Sequence, residues 1–491
     1  MAQKSVIVIG SGFAGLSAAS FMALHGWAVT VIEKNSTPGG RARQLKEEGF
    51  TFDMGPSFYW MPEVFERYFA RFNKKVSDYY SLERLDPSYR VYWPNDYTNI
   101  PADYDQLKQF FESTEPGAGA KLDKYLEEAA YKYDTGMNKL VYKPGLSFLE
   151  FIDWQVITGI FRLEIFRSIS KHITKYFKDP RLRQIMEFPV LFLGALPKDT
   201  PALYSLMNYA DIKGGTWYPR GGMYAVVNGM YYLAKELGVR FLFNEEVKEL
   251  KVKESDISTV VTVRDSYKVD AVISGADYHF TETSLLPEEA RSYTEKYWES
   301  RVLAPSCLMY YLGLNKKLKQ AIHHSLFFDV PFEKHGEEIY KNPAWPTEPL
   351  FYVSVASVSD RSVAPAGHEN LVVLIPIASG LKGDTNEIRE KYFEIVIKRM
   401  EAHFGESIKE AIVYKKSYSV SDFSADYNSF RGNAYGLANT LRQTAIFRPS
   451  CRSKKVNNLF YTGQLTVPGP GVPPSLVSGE VVAKQVIKAF K

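Results

Sequence analysis

Residues 5–33 read SVIVIGSGFAGLSAASFMALHGWAVTVIE, and most of the fold follows from them. Ser5 to Ile9 is a short apolar run of the kind that forms a strand buried on both faces. Gly10-Ser11-Gly12-Phe13-Ala14-Gly15 follows at once as G-x-G-x-x-G. The apolar spacing from Ala14 to His25 predicts a helix that stops before Gly26. Ala28 to Ile32 predicts a second strand, with Glu33 at its tip, 18 residues past Gly15. Glycines alone would be a weak sign. Set between a strand and a helix, with an acid ending the next strand, they mark a dinucleotide site. Gly10 permits the tight turn, Gly12 lets backbone approach a diphosphate, and Gly15 lets the helix lie close on the sheet. The helix N-terminus turns free N–H groups toward the phosphates. Glu33 offers acceptors to ribose hydroxyls.

This unit is a small part of a chain of 491 residues, which is too long for one core. Hydrophobic residues at 45% and charged residues at 24% indicate a globular protein. A net charge of +4 is too mild for a dedicated nucleic-acid binder. Aromatics at 14%, with 33 Tyr and 31 Phe, point to a large apolar pocket or surface, or to bulky cores. Cys307 and Cys451 are the only cysteines, which excludes a disulfide framework and any C-x-x-C and fits a reducing compartment. Met1-Ala2-Gln3-Lys4 runs into the first strand without a signal-peptide layout. No apolar run reaches 18 residues, so no helix is expected to span a bilayer. His323 and His324 are adjacent, with no carboxylate at ligand spacing, so no metal is expected. Long helices are predicted from Ser147 to Phe177. Strand patterns return at Arg240 to Val252, Val260 to Val263, Ala271 to Ser274, Phe351 to Val355 and Leu371 to Ile375. Asn458 to Lys491 reads as strand, Gly/Pro-rich loop and helix. The nucleotide-binding pattern is thus interrupted and resumed.

Further blocks narrow the reading. Pro38-Gly39-Gly40-Arg41-Ala42-Arg43 brings glycine N–H groups and cations to the diphosphate, and Phe52-Asp53-Met54-Gly55-Pro56-Ser57 follows it. Trp217-Tyr218-Pro219-Arg220-Gly221-Gly222 matches W-x-P-x-G-G. Asn244 to Val247, Ala271 to Asp277, Arg431 to Gly436, and Tyr461-Thr462-Gly463-Gln464 through Pro468 to Pro473 complete the set. With these blocks from residue 5 to residue 479, the chain resembles the bacterial-type phytoene desaturase and carotenoid desaturase family of the flavin amine oxidase superfamily. One departure stands out: the last block commonly has Thr-His-Pro-Gly and here has Thr466-Val467-Pro468-Gly469, which removes an imidazole from that place.

The resemblance implies an α/β fold with a discontinuous Rossmann-type FAD-binding domain (1–75, 225–290 and 455–491). Inserted into it is an α+β substrate domain (76–224 and 291–454) with a helical membrane-facing part. It implies FAD held by Gly10, Gly12, Phe13, Ala14, Gly15, Glu33, Lys34, Gly39, Gly40, Arg41, Gly55, Pro56, Ser57, Val247, Gly463, Gly471, Val472 and Pro473. It implies an oxidoreductase that desaturates an acyclic C40 carotenoid, by hydride loss to flavin and loss of a proton. Phytoene on the way to lycopene is the first choice. The alternative is a later 3,4-desaturation of a 1-hydroxycarotenoid or of γ-carotene. A carotenoid isomerase and a flavin amine oxidase are more distant readings. Oxygen or a membrane quinone suits the role of electron acceptor.

The acid/base is sought at Glu150, where related enzymes carry an acid after Ser-Phe; Asp153 replaces their arginine three residues on. On a helix the two carboxylates share a face and raise one another's pKa, or they sit at a solvated helix start. Arg220 either touches the flavin or is structural. Residues 139–183 hold nine Lys or Arg and four acids, hence net +5, with the rest of the chain at −1. With their bulky apolar residues they either lie on an anionic membrane surface or pack as a helix pair. A cytoplasmic protein bound peripherally to the membrane is expected.

Overall fold

The computed structural model describes residues 3–151, 164, 167–191 and 194–491. Ser5–Ile9 is the middle strand of a parallel five-stranded sheet. The order is Leu459–Tyr461, Ala271–Ser274, Ser5–Ile9, Ala28–Ile32 and Arg240–Leu242. Both faces of the middle strand are covered, which is why its residues do not alternate in polarity. Val6 and Val8 join the core under the helices Phe13–Leu24, Met223–Glu236 and Val472–Ala489. Ile7 and Ile9 join the core on the other face, with Val247, Leu250, Ile257 and Val260 of an antiparallel three-stranded sheet. The chain leaves Ser5–Ile9 first to one side and later to the other. That reversal opens a crevice beyond the carboxyl ends of the strands. Gly10, Glu33, Gly275 and Thr462 follow four of those ends, and all four line the crevice.

The second large element is a seven-stranded sheet. Its order is Ile412–Tyr418, Ser306–Leu314, Glu369–Ile377, Phe351–Ser354, His324–Phe327, Tyr89–Tyr92 and Tyr97–Ile100. All its pairs are antiparallel except His324–Phe327 with Tyr89–Tyr92. The strand period of two divides its residues. Leu308, Tyr310, Leu312, Val373 and Ile375 pack with Tyr392, Phe393, Val396 and Met400 of the helix Asn386–Phe404. Cys307, Met309, Tyr311, Tyr352 and Leu374 face the opposite way, into a core with Phe50, Phe52 and Phe188.

The strand region expected over Arg240 to Val252 holds two strands: Arg240–Leu242 in the parallel sheet, and Val247–Lys253 in the three-stranded sheet. Between them Asn244 takes a left-handed backbone (φ +52°), and the Asn244 and Glu245 N–H groups donate to the Asn35 and Glu33 carbonyls. Of the helices expected over 147–177, the described residues hold the short turns Phe148–Phe151 and Ile169–Ile173. Ile169, Ile173 and Phe177 are fully buried beside Phe111 and Tyr125. This part of the basic, apolar segment is therefore core and faces no membrane. No helix among the described residues is long and apolar enough to cross one.

Candidate active site

The crevice beyond the parallel strands deepens into a cavity of about 400 Å³, within the range of small-molecule sites. Its floor is glycine backbone. Gly10 stands at φ +91°, which a side chain rarely tolerates. A Cβ at Gly15 would be driven into the Gly10 carbonyl, so the helix Phe13–Leu24 lies as close to the first strand as backbone permits. The Gly39 N–H donates to the Ser11 carbonyl (2.9 Å) and brings the Gly39-Gly40 turn beside Gly12. The helices Phe13–Leu24 and Val472–Ala489 begin at Gly12 and Gly471, both on the cavity wall, so two sets of unpaired N–H groups start there.

Charge is arranged to match. Glu33 is buried (5% exposed), and its carboxylate accepts from the Ser11 N–H (2.9 Å) and hydroxyl (2.8 Å). It also accepts from the Asn35 N–H and side-chain amide, both at 2.9 Å. The two side-chain donors can turn away in favour of ribose hydroxyls without leaving the carboxylate unpaired. Arg41 donates to the Ser429 hydroxyl (2.9 Å), and its guanidinium lies 5.2 Å from the Tyr427 ring centre. Its Nε is buried without a partner. Burial lowers the Arg41 pKa, and Asp277 opposes that shift. A buried cation with a free donor beside a glycine turn suits a diphosphate. Lys34 also lines the cavity, but its ammonium donates to the Ala425 carbonyl (2.8 Å) and ties the 425–428 turn to the floor. Gly55, Pro56, Ser57, Val247, Gly463, Val472 and Pro473 complete the lining. The donor set, the backbone cradle and the acidic acceptor fit FAD. When bound, FAD accepts a hydride.

The opposite wall is apolar and aromatic. Phe58, Trp60, Met207, Cys307, Met309 and Leu374 form most of it, with Tyr352 and Tyr435. These residues escaped the sequence reading. The signal was present as alternation: Cys307 and Met309 are two apart on one strand, and Leu374 faces the same way on the neighbouring strand. The pattern does not say which face borders a ligand, because Leu308 and Tyr310 on the other face are just as apolar.

Two of the three acid/base and motif candidates lie elsewhere. Glu150 is outside the cavity; its carboxylate accepts from the N–H groups of Gly145 (2.9 Å) and Leu146 (3.1 Å) and closes its own loop. Its backbone carbonyl accepts from Lys143. Asp153 lies outside the described residues. Arg220 is on the surface, 60% exposed, paired with Glu83 at 2.8 Å. Its neighbours explain the W-x-P-x-G-G block differently: Asp360 accepts from the Gly221 N–H (2.7 Å), and Asp53 accepts from the N–H groups of Met223 (2.6 Å) and Tyr224 (3.2 Å). The motif thus starts a helix, with Asp53 of the Phe52–Ser57 block capping it. One cluster of metal-ligand type, Glu128, Glu164 and His172, occurs among the described residues. Glu164 is already paired with Lys132 (3.3 Å), Arg167 (2.7 Å) and Lys175 (2.9 Å), so the cluster reads as an ion-pair network.

Comparison with known proteins agrees with this geometry. The pattern of the flavin containing amine oxidoreductase family matches residues 13–487. A carotenoid 3,4-desaturase of Haloarcula japonica is 42% identical over 490 residues, 99% of each chain. A zeta-carotene-forming phytoene desaturase of Myxococcus xanthus is 30% identical over 99% of this chain and 94% of its own. Among solved structures, an oxidoreductase from Methanosarcina mazei superposes with a TM-score of 0.65 at 15% identity, covering 98% of this chain and all of the other; that likeness speaks for the fold. A glycine floor for FAD under an apolar wall, and near-full-length relatives of one kind, place the chain in the flavin-containing amine oxidoreductase family, among the FAD-dependent carotenoid desaturases.

Proposed function

We propose that the protein introduces a double bond at the 3,4 position of a carotenoid, with a 1-hydroxycarotenoid or γ-carotene as substrate. The observation that carries this reading is the 42% identity, end to end, with a carotenoid 3,4-desaturase, against 30% with a phytoene desaturase. The balance turns the first choice made from sequence, phytoene to lycopene, into the second. The residues supply what such a reaction asks of a protein. The wall of Phe58, Trp60, Met309 and Leu374 binds a polyene, holds it flat and excludes water. The glycine floor holds the flavin, which does the redox chemistry. The parallel sheet and its helices then serve as the cofactor part, and the seven-stranded sheet as the substrate part. Oxygen or a quinone is the proposed final electron acceptor.

A lipid-soluble substrate asks for contact with the membrane. Leu149 is 74% exposed, Leu146 41% and Phe447 53%. A Cβ on Gly145 would lie 3.3 Å from the Ala445 carbonyl oxygen, so the two exposed segments adjoin. With Lys139 and Lys143 nearby in sequence, this edge is the proposed membrane-docking site.

The test is turnover. The FAD-loaded protein is given liposomes carrying phytoene, a 1-hydroxycarotenoid or γ-carotene, and products are followed by absorption and chromatography. The expected result is a red-shifted product, two hydrogens poorer, from the hydroxylated or monocyclic substrate. Conversion of phytoene alone would restore the first choice.

A further inference from the structure

Behind the main cavity lies a second, smaller one of about 20 Å³, room for one water molecule. Gly55 and Ser57 border both cavities. Six residues with polar side chains, Asp53, Ser57, Tyr218, His323, Ser354 and Asn370, are on its lining. Ser57 accepts a hydrogen bond from the Tyr352 hydroxyl at 2.8 Å and keeps its own proton for a further partner. Asp53 uses one lone pair of each oxygen on the Met223 and Tyr224 N–H groups. A carboxylate has about four acceptor sites, so two remain. On the far side, His323 Nδ1 lies 2.9 Å from the hydroxyl of Ser359, which is half-buried and so in contact with solvent. A neutral imidazole has one donor and one acceptor nitrogen and can hand a proton across its ring.

Desaturation of a CH–CH unit breaks two C–H bonds. One hydrogen leaves with its electron pair, as the hydride FAD accepts when bound. The other leaves as a proton, and the electron pair of its C–H bond becomes the new π bond. That proton cannot stay in the apolar cavity, where an unpaired charge is very costly. We infer that it leaves through Ser57, a water in the small cavity, Asp53, His323 and Ser359. Ser57 Oγ takes the proton as it passes its own to the water. The water passes one to the Asp53 carboxylate, and Asp53 releases it by way of His323 and Ser359 to solvent. Ser57 is the one member that touches substrate; Asp53 and His323 act through it. Asp53 suits this use for a second reason: burial pushes its carboxyl up to about 7, against the pull of the two N–H groups, so both protonation states are within reach near neutrality. The other titratable groups facing it are Tyr218, Tyr352 and His323, with Asp360 beyond Tyr218. Burial lowers His323 to about 3, so it is neutral near pH 7. A branch through Tyr352 to His324 Nδ1 (2.6 Å) is closed, because His324 stacks on Phe58 and its Nε2 is buried without a partner. That branch orients Ser57.

The inference rests on the desaturase reading, and two measurements keep the two apart. In the ligand-free protein, infrared difference spectra across neutral pH should show carbonyl bands of protonated carboxyls that titrate, Asp211 among them, and Asp53→Asn should lack the one that belongs to Asp53. An identical band pattern in both proteins would overturn the proposal whatever the substrate. In the FAD-loaded protein, anaerobic bleaching of the flavin by carotenoid is timed in H2O and D2O, with FAD affinity measured alongside. Ser57→Ala and Asp53→Asn should slow it at least about tenfold and change the solvent isotope effect, and Ser57→Thr, which keeps the hydroxyl, should restore most of the rate. Ala356→Leu fills the small cavity from a residue outside the relay and should slow bleaching likewise even if Asp53→Asn folds poorly. Wild-type rates and isotope effect in Ser57→Ala and Ala356→Leu would overturn the relay. Failure of the unaltered protein to react with any carotenoid would instead strike the desaturase reading.

Discussion

The five-stranded sheet meets the cavity with the ends of its strands, and the seven-stranded sheet meets it with a face. The difference decides what each side contributes. Strand ends present turns, and turns at Gly10, Gly39 and Gly471 present backbone N–H groups, which suit phosphate whatever the neighbouring side chains are. A sheet face presents alternate side chains, here Cys307, Met309, Tyr352 and Leu374, whose bulk sets the shape of the space. The floor is therefore intolerant of an added atom at Gly15 and Gly55, where a Cβ would meet backbone oxygen, whereas the wall tolerates substitution and changes what it accepts.

The largest expected effect tests the floor. Gly15→Val puts a branched side chain where even a Cβ collides with the Gly10 carbonyl. The helix must move off the sheet, at an expected cost above about 4 kcal/mol. FAD absorbance of the purified protein and its melting temperature report the outcome. A folded, yellow Gly15→Val protein would mean that the floor is more compliant than its packing implies.

This contrast also explains what the sequence disclosed. Glycine positions follow from backbone geometry, and backbone geometry is local, so Gly10, Gly12 and Gly15 were legible within one strand–turn–helix–strand unit, and Gly39 and Gly40 in the block just after it. The strands Ser5–Ile9, Ala28–Ile32 and Ala271–Ser274 were legible at their ends as well. The wall was not, because Met309, Tyr352 and Leu374 come together only through strand pairing, Met309 with Leu374 across 65 positions and Tyr352 with Leu374 across 22. Glu150 illustrates a related limit of local pattern. A carboxylate that closes its own loop through the Gly145 and Leu146 N–H groups looks, in one dimension, like a carboxylate aimed at a substrate. Asp53, inside a quoted motif, was passed over, since its partners Met223 and Tyr224 are 170 and 171 positions away.

The wall is tested next. Leu374→Trp pushes a bulky indole into the cavity from the sheet face and leaves the floor untouched. Bound FAD should be unchanged in amount, and carotenoid turnover should fall about 10- to 100-fold. Loss of FAD in this variant would show that floor and wall are not independent.

A third effect is smaller and depends on pH. Asp211 is buried on the wall side, where Tyr89 donates to it at 3.0 Å and Thr216 at 3.2 Å. Burial pushes its carboxyl up to about 7, from an ordinary value of 3.8. The folded protein therefore keeps this proton in a range where the unfolded chain has lost it. Stability falls as pH rises between about 4 and 7 and levels off above, with a slope of up to about 1.4 kcal/mol per pH unit for one group. Asp53 adds a slope of the same sign. Asp211→Asn has no proton to lose, and its melting temperature should vary less across that window than that of the unaltered protein. An unchanged slope would mean that Asp211 is ionised throughout.

The smallest expected effect separates a motif from its function. Arg220 stands in the middle of W-x-P-x-G-G, and a reading by position alone would put it at the flavin. Its guanidinium instead reaches Glu83 across the surface, with 60% of the Arg220 and 38% of the Glu83 side chain exposed. An exposed pair of this kind is worth up to about 1 kcal/mol and is screened by salt. Arg220→Ala should leave FAD binding and turnover within twofold of the unaltered protein. Asp360→Ala, which removes the acceptor of the Gly221 N–H, should cost more stability although it lies outside the motif. If Arg220→Ala proved the more damaging of the two, the motif would act through its side chain; the opposite order assigns its work to the backbone it turns, as on the floor of the cavity.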